Sequence, residues 1–100
     1  MPNLKLTSDE LEDQLKQIPA WQFGEGKISR RLEFPSFASA FAFMTELALI
    51  SEKMDHHPSW HNVYKQVTIE LWTHDVEGLS LRDIKWALKA DKIFNRTVTV

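Results

Sequence analysis

The sequence predicts an α+β fold, an α-β-β-α-β-β-α sandwich whose four-stranded antiparallel sheet carries helices packed on one face. Three observations point to it. A capping motif opens a short amphipathic segment at the start, "TSDELEDQLKQIP". A long apolar run, "FASAFAFMTELALI", occupies the centre of the chain. Stretches rich in alternating, β-branched and aromatic residues lie on both sides of that run.

Taken in order, Thr7 and Glu10 form a T-x-x-E capping box, and Leu6 with Leu11 sits at the two ends of a hydrophobic staple. Leu11, Leu15 and Ile18 follow at i, i+4, i+7 as one buried stripe, until Pro19 ends the first helix. In "WQFGEGKISRRLEF", Gly24 and Gly26 flank a turn, and Ile28, Arg30, Leu32 and Phe34 share one side of a strand. Arg30 breaks the apolar series, so this strand is expected either near a sheet edge or with its arginine stem laid on the core.

Ser36 is the expected N-cap of the central helix, after Pro35. Phe37, Ala40, Phe41, Met44, Leu47 and Ala48 recur at three- and four-residue steps and are expected to form its core face. Ala42, Phe43 and Leu49 spread apolar surface onto other sides, which points to packing against more than one element, a second subunit among them. Pro58 forces the exit, because it disfavours the helical conformation for His57. "WHNVY" and "QVTIELWTH" then read as a hairpin with its turn at Lys65-Gln66. Val67, Ile69, Leu71 and Thr73 form one face; Thr68, Glu70, Trp72 and His74 form the other. Ser80 caps a last helix with Leu81, Ile84, Ala87 and Leu88 as its stripe. No pattern places the tail "NRTVTV", residues 95–100: a frayed end and an added strand are both open.

Composition narrows the function. One hundred residues, 43% of them hydrophobic, give material for one domain over 1–100 with a single core. A net charge of −2 supplies no general pull toward nucleic acid or anionic membrane, so neither is expected as a partner. The absence of cysteine excludes disulfides, thiolate catalysis and cysteine-held zinc. The start has no apolar run behind a basic stretch, and the central apolar run is about 14 residues long and contains Glu46, against the roughly 20 a membrane span needs. A soluble, cytoplasmic protein is the expectation.

The residues that carry chemistry cluster in "EKMDHHPSWHNVY". Histidine both gives and takes protons near neutrality, and His56, His57, His61 and His74 all fall between residues 56 and 74. Any one of them alone reads as an exposed loop residue or a strand terminator. Their company with Glu52, Asp55 and Trp60 favours a site. Adjacent histidines chelate poorly because neighbouring side chains diverge, so no metal is expected. Asp83 closes a capping box with Ser80 and is also placed to orient a histidine ring. Lys85, Lys89, Lys92 and Arg96 read as a solvated helix face rather than a nucleic-acid surface. Trp21 and Trp60 are candidate flat walls for an aromatic ligand.

The segments "EKMDHHPSWHNVY" and "THDVEGLSLRD", with "AW" at 20–21 and "FMTELAL" in the central helix, resemble the pterin-4a-carbinolamine dehydratase family over nearly the whole chain. The resemblance implies dehydration of 4a-hydroxytetrahydropterin to quinonoid dihydropterin, without metal or cofactor, recycling the cofactor of aromatic amino-acid hydroxylases. It implies catalytic roles for His56, His57 and His74, and substrate-binding or orienting roles for Glu52, Asp55, Trp60, Thr73, Asp83 and Trp21. It implies the same sandwich, assembled as a homodimer or homotetramer through sheet edges and helices. A transcriptional partner known in one branch of the family has no counterpart in these residues. A non-catalytic interaction module with the same fold is the alternative. Two features depart from the family's pattern: the Lys65-Gln66 turn lacks Asn or Gly, and Trp72 is bulky just before the T-H pair.

Overall fold

The computed structural model describes residues 4–98. Its elements run α1 (Ser8–Leu15), β1 (Gln22–Gly24), β2 (Lys27–Glu33), α2 (Phe37–Met54), β3 (Ser59–Val63), β4 (Gln66–Leu71), a 3₁₀ turn (His74–Val76) and α3 (Leu81–Val98). This is the expected α-β-β-α-β-β-α order. The four strands form one antiparallel sheet in the order β1-β2-β4-β3.

Local chemistry accounts for the boundaries. Both halves of the Thr7/Glu10 capping box are made, and Leu6 and Leu11 rest against the core. The first hairpin turns through Glu25 and Gly26, both at positive φ, which joins Gly24 directly to Lys27. Ser36 caps α2 as expected, with Ser39 as the reciprocal partner.

Strand pairing sets the two faces of the sheet. Ile28, Leu32, Val67, Ile69 and Leu71 point one way and are buried under α2 and α3. Ser29, Arg31 and Thr68 point the other way, onto an open face with no helix over it among the described residues. Above the sheet, Phe34, Phe43 and Phe94 pack with ring centroids 4.9–6.4 Å apart. Trp86 of α3 is fully buried; its indole N–H donates to Ser51 Oγ at 2.9 Å, and that hydroxyl donates to the Leu47 carbonyl at 2.7 Å.

Several sequence expectations shift in phase. β2 is an interior strand, so Arg30 lies on the core: its guanidinium bonds Asp91 of α3 and stands 5.0 Å from the Phe94 ring centroid. The face of α2 that is buried carries Ala40, Phe43, Leu47 and Ser51, while Phe37, Phe41 and Ala48 face outward. An apolar circumference leaves the phase of a helix undetermined, and the Ser51–Trp86 bond sets it. Likewise Leu81 and Leu88 of α3 are exposed, and Trp86, Ala90 and Ile93 join Ile84 and Ala87 in the core. The second hairpin turns at Tyr64-Lys65, one residue earlier than expected, because Val63 pairs with Gln66. Asn62 compensates by donating its side-chain amide to the carbonyls of Tyr64 and Gln66. Residues 95–98 continue α3; 99 and 100 lie outside the described residues.

Candidate active site

The end of α2 separates the two adjacent histidines. Asp55 adopts a left-handed backbone (φ 53°), its N–H bonds the Glu52 carbonyl, and the His56 N–H bonds the Ser51 carbonyl. This Schellman-type ending swings the chain off the helix axis before Pro58. His56 turns inward and is buried, whereas His57 stays exposed and its Nε2 meets Glu52 Oε2 at 3.1 Å.

His56 is held from behind by the start of α3. Its Nε2 lies 2.6 Å from Asp83 Oδ1, and both side chains are almost wholly shielded from solvent. Asp83 Oδ2 accepts the Ser80 backbone N–H at 3.0 Å and the Thr73 hydroxyl at 2.7 Å. Thr73 spends its proton on Asp83, so the 2.6 Å contact between Thr73 and Ser80 oxygens is donated by Ser80. The Ser80 oxygen in turn accepts the Arg82 N–H at 3.3 Å. Every member of this buried network therefore has a partner, the condition for keeping a carboxylate in a core.

The network also fixes the proton on His56. Asp83 acts as an acceptor at both oxygens, so His56 Nε2 carries hydrogen and donates it. Nδ1 is left for solvent or ligand: an acceptor in the neutral ring, a donor in the imidazolium.

A depression of about 270 Å³ opens over this arrangement, lined by Asp55, His56, His57, Trp72, Thr73, His74, Asp75 and Arg82. The expected histidines His56, His57 and His74 thus meet in one place, with Asp55 and Thr73 beside them and Asp83 behind. Glu52 touches the rim through His57. His61 does not join them; it sits exposed on edge strand β3, on the open face of the sheet.

Neither candidate tryptophan wall borders this depression. Trp21 is buried and donates its indole N–H to Asp91 Oδ1 at 2.8 Å, sharing that carboxylate with Arg30. Trp60 packs edge-on against Trp86 with centroids 6.2 Å apart. The flat wall that the pocket does have is Trp72, whose ring centroid lies 4.6 Å from Lys27 Nζ. Sequence reasoning missed Arg82, whose Nη1 donates to the Asp55 carbonyl at 3.2 Å and ties α3 to the end of α2. Its signal was its place between Ser80 and Asp83, in the first turn of a helix whose cap already faced the histidines. Among the described residues no group of three or more His, Asp or Glu side chains is arranged to hold a metal ion, and no helix is long and apolar enough to cross a membrane.

Fold and site together define a class: an α+β sandwich with a histidine-rich pocket between the end of its central helix and the start of its last. The chain belongs to the pterin-4a-carbinolamine dehydratase family, whose model, described as pterin 4 alpha carbinolamine dehydratase, matches residues 4–93. A Rhizorhabdus wittichii protein provisionally named a member is 51% identical over 84 residues, covering 82% of this chain and 87% of its own. A Prochlorococcus marinus protein with the same provisional name is 44% identical over 93 residues, covering 93% and 97%. The crystal structure of a transcriptional coactivator/pterin dehydratase from Brucella melitensis superposes with a TM-score of 0.87 at 40% identity, over 91% of this chain and 99% of that one.

Proposed function

We propose that the protein is a 4a-hydroxytetrahydropterin dehydratase working by histidine acid–base catalysis, without metal or cofactor. The observation that carries the reading is the buried His56–Asp83 pair opening into a pocket that also holds His57 and His74. In the reaction the C4a–O bond breaks, the departing oxygen takes a proton and leaves as water, and N5 gives up its proton as the C4a=N5 bond forms. Hydroxide leaves poorly, so an imidazolium must supply the first proton and a neutral imidazole must accept the second.

His56 and His74 act as general acids, approaching from the end of α2 and from the 3₁₀ turn respectively, which serves both stereoisomers of the substrate. His57, exposed and paired with Glu52, binds substrate and serves as the base. Asp83, through Thr73 and Ser80, holds the His56 tautomer, while Trp72 supplies a flat surface for the pterin ring. The product serves recycling of the tetrahydropterin cofactor of aromatic amino-acid hydroxylases.

The working form is a homodimer or homotetramer, supported by the apolar outer side of α2, where Phe37 and Phe41 are about half exposed with ring centroids 5.8 Å apart and Leu49 is more exposed still. That same surface is what favours the alternative, an interaction module without catalysis.

A rapid-mixing assay of 4a-carbinolamine decay separates the two. Wild type accelerates the decay, and His56→Ala, His57→Ala and His74→Ala, while folded, each lose much of the acceleration, about 10²-fold or more for an acid. A wild-type protein that leaves the spontaneous rate unchanged defeats the dehydratase reading.

A further inference from the structure

We infer that the groove beside the histidine pocket, bordered by Lys5, Arg82 and Lys85, is a subsite for a phosphate monoester carried on the substituent of the pterin; this deepens the dehydratase reading and rests on it. The groove measures about 410 Å³ and runs between the segment that precedes α1 and the first turns of α3. Arg82 lines both this groove and the histidine depression, so the two share a wall. A ring bound among the histidines with its substituent directed past Arg82 enters the groove.

The groove is built rather than incidental. The Leu6 N–H bonds the Leu79 carbonyl at 2.8 Å, fastening the first segment to the loop ahead of α3. The Lys5 stem crosses buried Gly78 so closely that a Cβ there would stand 2.7 Å from Lys5 Cε. The atom it would meet is the far end of the flexible Lys5 side chain, which lies over this glycine at the edge of the groove. Lys85 follows Arg82 by three residues on α3, on the same side of the helix.

Charge points to the ligand. Lys5, Arg82 and Lys85 make no ion pair with a carboxylate among the described residues; Arg82 spends one donor on the Asp55 carbonyl. Glu10 on the same border has one oxygen turned to the Thr7 N–H in the capping box and offsets one of the three positive charges. Three cations thus border one groove in a chain whose net charge is −2. A phosphate monoester, with nearly two negative charges and three acceptor oxygens, matches three separated donors better than a single carboxylate does. Leu4 and Leu81 add apolar surface for the carbons between ring and phosphate.

The test is equilibrium titration of the protein with 6-(trihydroxypropyl)-7,8-dihydropterin and with the same compound bearing a terminal phosphate monoester. The phosphate ester is expected to bind about tenfold tighter at low ionic strength, an advantage that shrinks in about 0.5 M salt. The Lys5→Gln/Lys85→Gln double variant is expected to bring the ratio down to about twofold. Equal affinities in wild type, or a preference that the double variant leaves intact, overturn the subsite while the dehydratase reading stands. Failure of both pterins to bind overturns the dehydratase reading and the subsite together.

Discussion

His56 and Asp83, 27 residues apart, meet across 2.6 Å with their contact shielded from solvent. The relationship makes one ring nitrogen a fixed donor into the protein and leaves the other for a ligand. Positioning of this kind separates a catalytic histidine from a surface one, because the ring's tautomer and angle are set before anything binds.

Asp83→Asn tests that relationship directly. The Ser80 N–H and the Thr73 hydroxyl require an acceptor where Oδ2 now stands. The asparagine oxygen must therefore take that place, turning its NH₂ toward His56. His56 Nε2 then becomes an acceptor and its proton moves to Nδ1, so the ring loses the anionic partner that a proton-donating imidazolium needs behind it. The variant is expected to keep its fold and lose about 10²–10⁴ of the dehydration rate. Decay kinetics with circular dichroism check this, and ¹⁵N shifts of the His56 ring report the tautomer. A rate within a few-fold of wild type removes Asp83 from the mechanism.

A second prediction concerns the joint between the helices. Ser51 is buried, and its Oγ both accepts the Trp86 indole N–H and donates to the Leu47 carbonyl. Ser51→Ala removes the acceptor and leaves a buried N–H unpaired. The expected cost is about 1–3 kcal/mol of unfolding free energy. In a domain of this size that lowers Tm by roughly 4–8 °C per kcal/mol. Urea denaturation measures it, and a midpoint equal to that of wild type shows that the indole finds another partner.

How much of this was legible in the sequence depends on how the information is encoded. Capping boxes are local, so Thr7/Glu10 and Ser36 were readable at once. Strand faces follow a two-residue period, and Val67, Ile69, Leu71 and Thr73 fell where expected. Helix phase was not readable where the helix is apolar nearly all round. The buried faces of α2 and α3 are selected by the Ser51–Trp86 and His56–Asp83 bonds, which are tertiary. The same holds for the site. The proline after His57 announced a chain exit, but that Trp21 turns to Asp91 and that Arg82 bridges to Asp55 are facts of packing.

The outer side of α2 makes a prediction about assembly. Phe37, Phe41 and Leu49 are exposed on a helix whose opposite face is already packed in the core. The proposed homo-oligomer would place a second copy of the chain over that surface. Phe41→Glu is expected to shift a dimer or tetramer toward a smaller species without unfolding, since the side chain takes no part in the core. Light scattering coupled to size-exclusion chromatography reads the mass. A wild-type protein that runs as a monomer at micromolar concentration ends the oligomer proposal.

Asp55 supplies the last prediction, a trade between stability and activity. It holds the left-handed position that ends α2, at φ 53°, where glycine meets no steric penalty and aspartate does. The residue borders the histidine pocket. Asp55→Gly is therefore expected to gain up to about 1 kcal/mol in urea unfolding by relieving the backbone. It is also expected to weaken substrate binding, raising KM with the dehydration rate at saturation less affected, because Asp55 belongs to the pocket lining and not to the His56–Asp83 pair. Measured together, a stability gain with unchanged KM removes Asp55 from the site, and a stability loss shows that its side chain, not its backbone, holds the turn.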